Sequence, residues 1–358
     1  MNPRLIINLP KLQHNARFLA EMCHGHGISV AAVTKVFCAD VPMVTALADL
    51  PIAFLADSRI ENIMAYPADI RQKTILLRLP APSEAMRVVE NCDISLNSEI
   101  TTLRKLDEAA AKLGRVHGVL LMIDLGDLRE GIFYNNMEGI KAAAELVSSS
   151  KNLELTGFGT NLTCYGSVLP TSENLEKLCA TVEQMRKLFH VEHLPIISGG
   201  NSSSLYLLEK SEIPNDINNL RLGESIVCGK ETAFGETFPG LEIDVVTLQA
   251  EIIEIADKPS MPEGKININA FGETVAYKDH GVRKRAILAV GRQDTSFEGL
   301  TCHTDGVDIV GASSDHLIVD ISDAAPLAVG DCLTFSLSYG AVLAGFTSRY
   351  VDKTYVNT

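Results

Sequence analysis

The chain has 358 residues, which is long enough for two domains that each bury a hydrophobic core. Its 46% hydrophobic and 21% charged residues are typical of an ordinary globular protein, and no uninterrupted apolar stretch approaches the length that crosses a bilayer. The net charge of −14 disfavours nucleic acids and anionic membrane surfaces as partners.

The first part of the chain alternates short apolar segments with amphipathic helical ones. The predicted strands, in chain order, are "RLIINL", "ISVAAV", "IAFLAD", "KTILLRL", "DISLN", "VHGVLLMIDL", "LELTGFGT" and "LPIISGG". Their apolar residues are continuous, as in a parallel sheet that is covered by helices on both faces. About eight strand–helix units predict an α/β fold, a TIM-like (β/α)₈ barrel over residues 1–234. A doubly wound sheet is the alternative, but no strand is followed by a GxGxxG fingerprint.

A different pattern begins after Gly235. The segments "LEIDVVTLQAEIIEIAD", "RAILAVG", "VDIVGAS", "HLIVDIS" and "CLTFSLS" resemble strands, with Gly, Asp and Pro turns between them and no long helical pattern. These features predict a C-terminal, mostly antiparallel β domain over residues 235–358.

Eight cysteines are scattered along the chain without a CxxC pair, and a chain of this length does not need a disulfide framework. No cationic and then apolar leader opens the sequence, so no signal peptide is expected. We therefore predict reduced thiols and a cytoplasmic protein. The cysteines are Cys23, Cys38, Cys92, Cys164, Cys179, Cys228, Cys302 and Cys332.

Polar residues follow several of the predicted strands, where barrel enzymes place their chemistry. Lys35 stands at the end of an apolar run, either reaching outward from the strand or held in a site for covalent chemistry. "IDLGDLREG", "GTNLTCYG" and "LRLGES" place further charged and amide side chains at strand ends. These are Asp124, Asp127, Arg129, Glu130, Asn161, Tyr165, Arg221 and, beside them, Gly223.

The segment "SGGNSSS" places glycines and small hydroxyls before a helix. Such a segment is either an anion cradle built from backbone N–H groups or an ordinary helix N-cap. A lysine, an anion cradle and an arginine together form the inventory of a pyridoxal 5′-phosphate (PLP) site. In such a site the lysine forms a Schiff base and the cradle holds the phosphate.

With these motifs the chain resembles the alanine racemase family of fold-type III PLP enzymes, most closely the ornithine racemase branch. The family's PLP lysine in "AVxK" matches Lys35 in "AAVTK", and its "DxGxxRxG" arginine matches Arg129. Its "RxG" arginine, which donates to the pyridine nitrogen, matches Arg221, and its phosphate tyrosine in "SY" matches Tyr339. The predicted cofactor-binding residues are Lys35, Arg129, Asn161, Asn201, Ser202, Ser203, Arg221, Gly223 and Tyr339.

The sequence departs from that family at several functional positions. Ala39 replaces a tyrosine four residues after the lysine, Asn161 replaces a histidine under the PLP ring, and Met122 replaces a lysine that is often carbamylated. The catalytic tyrosine of "GYADG" is replaced by Arg292 in "GRQDT", and "MDQ" by Ser314-Asp315-His316.

The resemblance implies an amino-acid racemase, most closely for ornithine, that removes the α-proton from the substrate's Schiff base with PLP. Lys35 would act on one face, and a group among Arg292, Asp315 and His316 on the other. Asp315 and His316 are expected on opposite faces of a strand, with Asp315 inward. Asp315 or Glu224 would bind the substrate's ω-ammonium. No metal is expected.

The resemblance further implies a homodimer in which each site combines the barrel of one subunit with the β domain of the other. Three alternatives stay open: a racemase of another amino acid, a D-amino-acid aldolase or dehydratase on the same scaffold, and a non-catalytic PLP-binding protein. Families of the second kind use a C-terminal His and Cys metal cluster, which "SSDH" lacks. Proteins of the third kind resemble the barrel alone.

Overall fold

The computed structural model describes residues 2–190, 194–274 and 276–357. The strands are β1 (Arg4–Asn8), β2 (Ser29–Val33), β3 (Phe54–Asp57), β4 (Lys73–Leu76), β5 (Ile94–Asn97), β6 (His117–Asp124), β7 (Ile132–Phe133), β8 (Leu153–Gly159), β9 (Ile196–Ser198), β10 (Asn219–Leu222), β11 (Val246–Pro259), β12 (Val282–Leu288), β13 (Leu300–Cys302), β14 (Asp308–Ala312), β15 (Leu317–Asp320), β16 (Cys332–Leu337) and β17 (Asp352–Val356). The α-helices are α1 (Leu9–Gly25), α2 (Val41–Ala48), α3 (Ile60–Met64), α4 (Ala85–Asn91), α5 (Ile100–Leu113), α6 (Met137–Ser149), α7 (Ser172–Phe189), α8 (Leu205–Glu209), α9 (Glu224–Cys228) and α10 (Tyr339–Thr347). Short 3₁₀ helices cover Lys35–Phe37, Pro82–Glu84, Ser202–Ser204 and Phe297–Gly299.

The chain divides into two compact units. One consists of Lys11–Ile243, and the other combines Met1–Pro10 with Asp244–Thr358. The domain boundary between residues 234 and 235 stays a prediction.

The larger unit is a closed parallel barrel, as the sequence predicted. Its strands pair in the order β5-β4-β3-β2-β10-β9-β8-β6, and β6 returns to β5. The short strand β7 pairs with β6 outside this ring. The barrel core is formed by apolar side chains that are all buried: Ala31, Val33, Ala56, Ile75, Ile94, Leu96, Leu120, Met122 and Ile196.

The prediction that "RLIINL" forms the first strand of the barrel is wrong. "RLIIN" forms β1, which pairs antiparallel with β11 and parallel with β17 in the other unit's sheet. Its residues alternate between buried and half-buried, as in a strand with one packed face, whereas β5, β6 and β10 are buried throughout. The eighth barrel strand is β10, so Lys35 follows the first barrel strand and "SGGNSSS" the seventh.

The smaller unit is a mostly antiparallel sheet, as predicted, with the order β13-β16-β11-β12-β15-β14. In addition, β1 pairs with β11, and β17 pairs with β1. The helix α10 was not predicted from the sequence. Its N-cap is Ser338, whose hydroxyl accepts the N–H of Ala341 at 3.4 Å. Tyr339 is therefore the first residue of a helix. None of the helices in the described part of the chain is long and apolar enough to cross a membrane.

Candidate active site

Lys35 lies directly beyond β2, at the carboxyl ends of the barrel strands. Ala31 and Val33 of β2 point into the barrel core, and the half-buried Lys35 follows at the start of a 3₁₀ helix. Burial raises the pKa of Glu224, and the positive charges of Lys230 and Lys35 oppose that rise. The charge of Lys35 therefore acts on the carboxyl group of Glu224, the first residue of α9.

A buried hydrogen-bond network holds the turn that carries Lys35. The hydroxyl of Thr34 donates to Asp57 at 2.6 Å and lies 2.8 Å from the Tyr66 hydroxyl. Asp57 also accepts the N–H of Arg59 and the side-chain amide of Asn62, both at 2.9 Å. Sequence reasoning assigned no role to Asp57 or Tyr66. The feature of the sequence that could have identified Asp57 is a carboxylate at the end of the apolar run "IAFLAD". A carboxylate that is buried in this position needs hydrogen-bond partners.

The segment "SGGNSSS" forms a short helical turn after β9. Asn201 is its N-cap, and its side-chain oxygen accepts the N–H of Ser203 at 2.8 Å. The hydroxyls of Ser202 and Ser225 lie 3.0 Å apart. The hydroxyl of Ser203 is buried and has no hydrogen-bond partner among the described residues. A buried hydroxyl of this kind needs a partner, and a bound phosphate would supply one.

Arg221 is a buried cation on the neighbouring strand β10. Only 4% of it is exposed, and its guanidinium donates to the hydroxyl of Ser198 and, at 2.6 Å, to the carbonyl of Thr160. Burial lowers its pKa to about 10, and the charge of Glu130 acts in the opposite direction. Gly223 follows two residues later, where a Cβ would lie 3.0 Å from the Cβ of Val33 on β2.

Arg129 lies in the loop after β6 and is paired with its neighbour. Its Nη2 is 2.5 Å from the carboxylate of Glu130, whose side chain is only 15% exposed. Asp124 accepts the N–H groups of Gly126 and Leu128 and thereby shapes this loop. The charge of Glu130 raises the pKa of Arg221, and that of Arg129 lowers it.

Asn161 lies in the loop after β8 and contacts the segment "SGGNSSS" at residues 198–204, which we call the anion loop. Its side-chain oxygen accepts the Asn201 amide at 2.8 Å, and its own amide donates to Cys164 Sγ at 3.1 Å. Met122, at the position of the family's often carbamylated lysine, is fully buried in the barrel core.

Arg292 is enclosed by other side chains of the smaller unit. Its guanidinium carbon lies 4.4 Å from the centre of the Phe271 ring and 4.6 Å from that of Phe297. Its Nη2 is 3.0 Å from Glu273 and its Nη1 is 3.4 Å from Glu298. Arg292 is therefore ion-paired with Glu273 and Glu298. The nearby carboxylate of Asp294 accepts the N–H of Gly291 at 2.9 Å.

Asp315 and His316 do not lie in a strand, so their predicted placement on opposite faces is wrong. They belong to the turn between β14 and β15, and Asp315 Oδ1 is 3.4 Å from His316 Nδ1. The turn packs against "GRQD", because the N–H of Arg292 donates to Ser313 O at 3.0 Å. A Cβ on Gly291 would lie 2.4 Å from the Asp315 backbone nitrogen, so this close approach requires glycine.

The structure therefore groups the predicted site residues by unit. Lys35, Arg129, Asn161, Arg221 and the anion loop lie at the carboxyl ends of the barrel strands. Arg292, Asp315, His316 and Tyr339 lie in the smaller unit. Within residues 2–190, 194–274 and 276–357, no three His, Cys, Asp or Glu side chains are grouped to hold a metal ion.

The barrel residues fit the predicted PLP. A phosphate needs N–H and hydroxyl donors, and the anion loop offers them with one buried hydroxyl unused. A pyridine nitrogen needs a donor, and Arg221 is a donor only. A closed parallel barrel with an amine, a buried guanidinium and an anion loop at the carboxyl ends of its strands defines the class of barrel enzymes that bind a phosphorylated cofactor.

The chain belongs to the alanine racemase family. Its residues 7–230 match the model of the alanine racemase N-terminal domain. It is 47% identical to the ornithine racemase of Acetoanaerobium sticklandii over 354 residues, 99% of both chains. It is 38% identical to the lysine racemase of Thermotoga maritima over 99% of this chain and 98% of that one. The alanine racemase of Bartonella henselae, solved with covalently bound pyridoxal phosphate, superposes with a TM-score of 0.73 at 15% identity, covering 99% of this chain and 100% of that one.

Proposed function

We propose that the protein is a PLP-dependent amino-acid racemase that interconverts L- and D-ornithine. The observation that carries the proposal is the grouping of Lys35, Arg221 and the unpartnered hydroxyl of Ser203 in one unit, at the carboxyl ends of barrel strands β2, β10 and β9. The full-length similarity to an ornithine racemase and a lysine racemase supports a diamino acid as substrate.

When bound, PLP acidifies the α-carbon of an amino acid that is joined to it. Lys35 would hold the cofactor through its amine, and once released it would move the proton on one face of the α-carbon. Ser202, Ser203, Gly223 and the N–H groups beside them would bind the phosphate. Arg221, always charged and only a donor, would face the pyridine nitrogen and keep it unprotonated.

Asn161 and Asn201 would support the cofactor in a different way. Both amide protons and the oxygen of Asn201 are near protein partners, so its side chain orders the anion loop. Its backbone is then the part that is left for a ligand. Arg129 would lie at the cofactor's phenolic oxygen, and Tyr339 would add a hydroxyl to the phosphate.

The first prediction concerns the substrate. Purified protein with PLP should racemise ornithine best, lysine less well, and alanine at least about tenfold less efficiently, because only a diamino acid gains a charge-assisted bond from its ω-ammonium. Glu224→Gln should raise the KM for ornithine about tenfold and leave alanine almost unchanged. Chiral chromatography of each amino acid gives both numbers.

Asp315→Asn is the paired variant, because Asp315 is the other carboxylate that was predicted to bind the ω-ammonium. A KM effect in Asp315→Asn alone would move that role from Glu224 to Asp315. Equal efficiency with alanine and ornithine in the native protein would refute the diamino-acid preference.

The second prediction concerns the proton on the face opposite Lys35. We propose that the pair Asp315–His316 handles it, because an imidazole can both donate and accept a proton and the two side chains are in contact. Arg292 would not act as a base, since a guanidinium group only donates hydrogen bonds. It would instead hold Glu273 and Phe271 in place.

His316→Ala and Asp315→Asn should each lower racemisation about 10²-fold or more, while solvent-deuterium exchange at Cα of one enantiomer stays largely intact. His303→Ala is the matched control. That histidine lies in the same unit, 2.7 Å from the Ser336 hydroxyl, and should change neither measurement. Near-normal racemisation in His316→Ala, Asp315→Asn and Arg292→Ala would end this assignment.

We propose a homodimer in which the β domain of one subunit completes the site of the other. The family membership supports this arrangement, as does the division of the predicted residues between two units. We also propose a cytoplasmic location, which is supported by eight scattered cysteines without a CxxC pair in a chain that is too long to need a disulfide framework.

A further inference from the structure

One buried carboxylate, that of Asp127, joins two loops of the barrel. Asp127 is 1% exposed and lies in the loop after β6. Its Oδ1 accepts the N–H groups of Thr163 at 3.1 Å and Val168 at 3.3 Å, and its Oδ2 accepts that of Tyr165 at 3.0 Å. All three donors belong to the loop after β8. Charge-assisted bonds to a buried carboxylate are strong, so this loop is fixed to the loop after β6.

The backbone of the attached loop depends on that contact. Thr163 and Ser167 have φ angles of 67° and 55°. Residues other than glycine adopt such backbone angles only at a cost in conformational free energy. A Cβ on Gly166 would lie 2.6 Å from the Asp127 carbonyl oxygen, so the two loops approach as closely as glycine allows. Such a conformation persists only when its surroundings hold it, and Asp127 binds three of its N–H groups.

The loop after β8 is hydrogen-bonded to the anion loop. The Asn201 amide donates to Asn161 Oδ1 at 2.8 Å and to the Leu162 carbonyl at 3.0 Å. The Asn201 oxygen accepts the N–H of Ser203 at 2.8 Å. An unbroken series of hydrogen bonds and short chain segments therefore leads from Asp127 to the serine whose hydroxyl is buried and unpartnered.

We propose that Asp127 is a positioning residue that sets the protein's preference for a phosphorylated cofactor. Its oxygens are engaged by backbone N–H groups, so it acts on the ligand only through the loop and Asn201. The inference rests on the proposed function, because it takes PLP as the ligand of the anion loop. Asp127 would secure the shape of the phosphate site and leave the rest of the cofactor contacts unchanged.

The test compares PLP with pyridoxal, which lacks the phosphate. Asp127→Asn keeps one acceptor oxygen but turns an NH₂ toward an N–H group. The Kd of PLP, from titration of cofactor-stripped protein by visible absorbance, should rise about tenfold or more. The Kd of pyridoxal should change less than about threefold. If the ratio of the PLP Kd to the pyridoxal Kd stays the same, whether neither constant changes or both rise equally, the positioning role of Asp127 is overturned.

Asn161→Ala breaks the next link without touching Asp127, and so decides the matter if Asp127→Asn does not fold. It should likewise raise the ratio of the PLP Kd to the pyridoxal Kd, and the double variant should be no worse than the poorer single variant. Additive losses would contradict a shared route.

Asp107→Asn is the matched control. Asp107 is a half-buried carboxylate of the same unit that accepts the Ser150 hydroxyl and, at 2.9 Å, the Asn152 amide before β8. It should leave the ratio unchanged. A native protein that neither prefers PLP over pyridoxal nor racemises any amino acid would refute the proposed function. Native racemisation with unaltered selectivity in the variants would refute only the role of Asp127.

Discussion

Replacing Lys35 with alanine will abolish the visible absorbance of the bound cofactor and lower racemisation about 10⁴-fold, the upper end of what a positioned acid–base group contributes. The amine lies beyond β2, after a turn that the Thr34–Asp57 hydrogen bond fixes at 2.6 Å. That position makes Lys35 both the attachment point of the cofactor and the base on one face. Borohydride reduction of the native protein followed by peptide mapping should label Lys35.

Two variants make this prediction specific. Lys35→Arg keeps the positive charge but has no free amine, so it should lose absorbance and activity as completely as Lys35→Ala. Lys73→Ala removes an exposed lysine at the opposite end of the barrel, where β4 begins, and should behave as the native protein does. A borohydride label on any other lysine would refute the assignment of Lys35 and, with it, that of the PLP site.

The sequence predicted the barrel well because its strands are buried on both faces. Continuous apolar runs such as "VLLMI" mark such strands without reference to the rest of the chain. "RLIIN" shows where this reading fails. A five-residue apolar segment fits a barrel strand and a sheet strand equally, and its partners β11 and β17 lie more than 200 residues away. Only long-range pairing decides between them.

The candidate site was likewise predictable only where local sequence determines the structure. Lys35 and the anion loop could be placed because each follows a recognisable strand. Arg221 lies within β10, which the apolar pattern did not predict, and it was identified only through the "RxG" motif of the family resemblance. The surroundings of Arg292 could not be foreseen, since Phe271 and Glu273 come from an irregular segment about 20 residues earlier. The turn at Asp315 and His316 was read as a strand because local alternation extends to its neighbours. Its backbone is instead set by contact with Gly291.

Replacing Arg221 with glutamine is expected to lower racemisation about 10²–10³-fold, as the loss of one preorganised donor typically does. The guanidinium is buried, and its described hydrogen bonds go to the Ser198 hydroxyl and the Thr160 carbonyl. Arginine only donates, so a ring nitrogen facing it stays unprotonated. The glutamine oxygen can accept from a protonated nitrogen, which would strengthen the ring as an electron sink and favour transamination. The 2-oxo acid formed per racemisation event should therefore increase.

The variant Arg221→Lys separates this electronic role from a structural one. Both substitutions disturb a buried site and should lower the free energy of unfolding by about 1–3 kcal/mol, because the Thr160 carbonyl or the Ser198 hydroxyl loses a partner. Lysine, however, remains a charged donor without an acceptor, so the proportion of 2-oxo acid should stay near the native value. If glutamine and lysine change stability and racemisation alike and neither raises 2-oxo acid formation, Arg221 only supports the barrel wall. If glutamine alone raises 2-oxo acid formation, the buried guanidinium favours racemisation over transamination, because it keeps the pyridine nitrogen unprotonated.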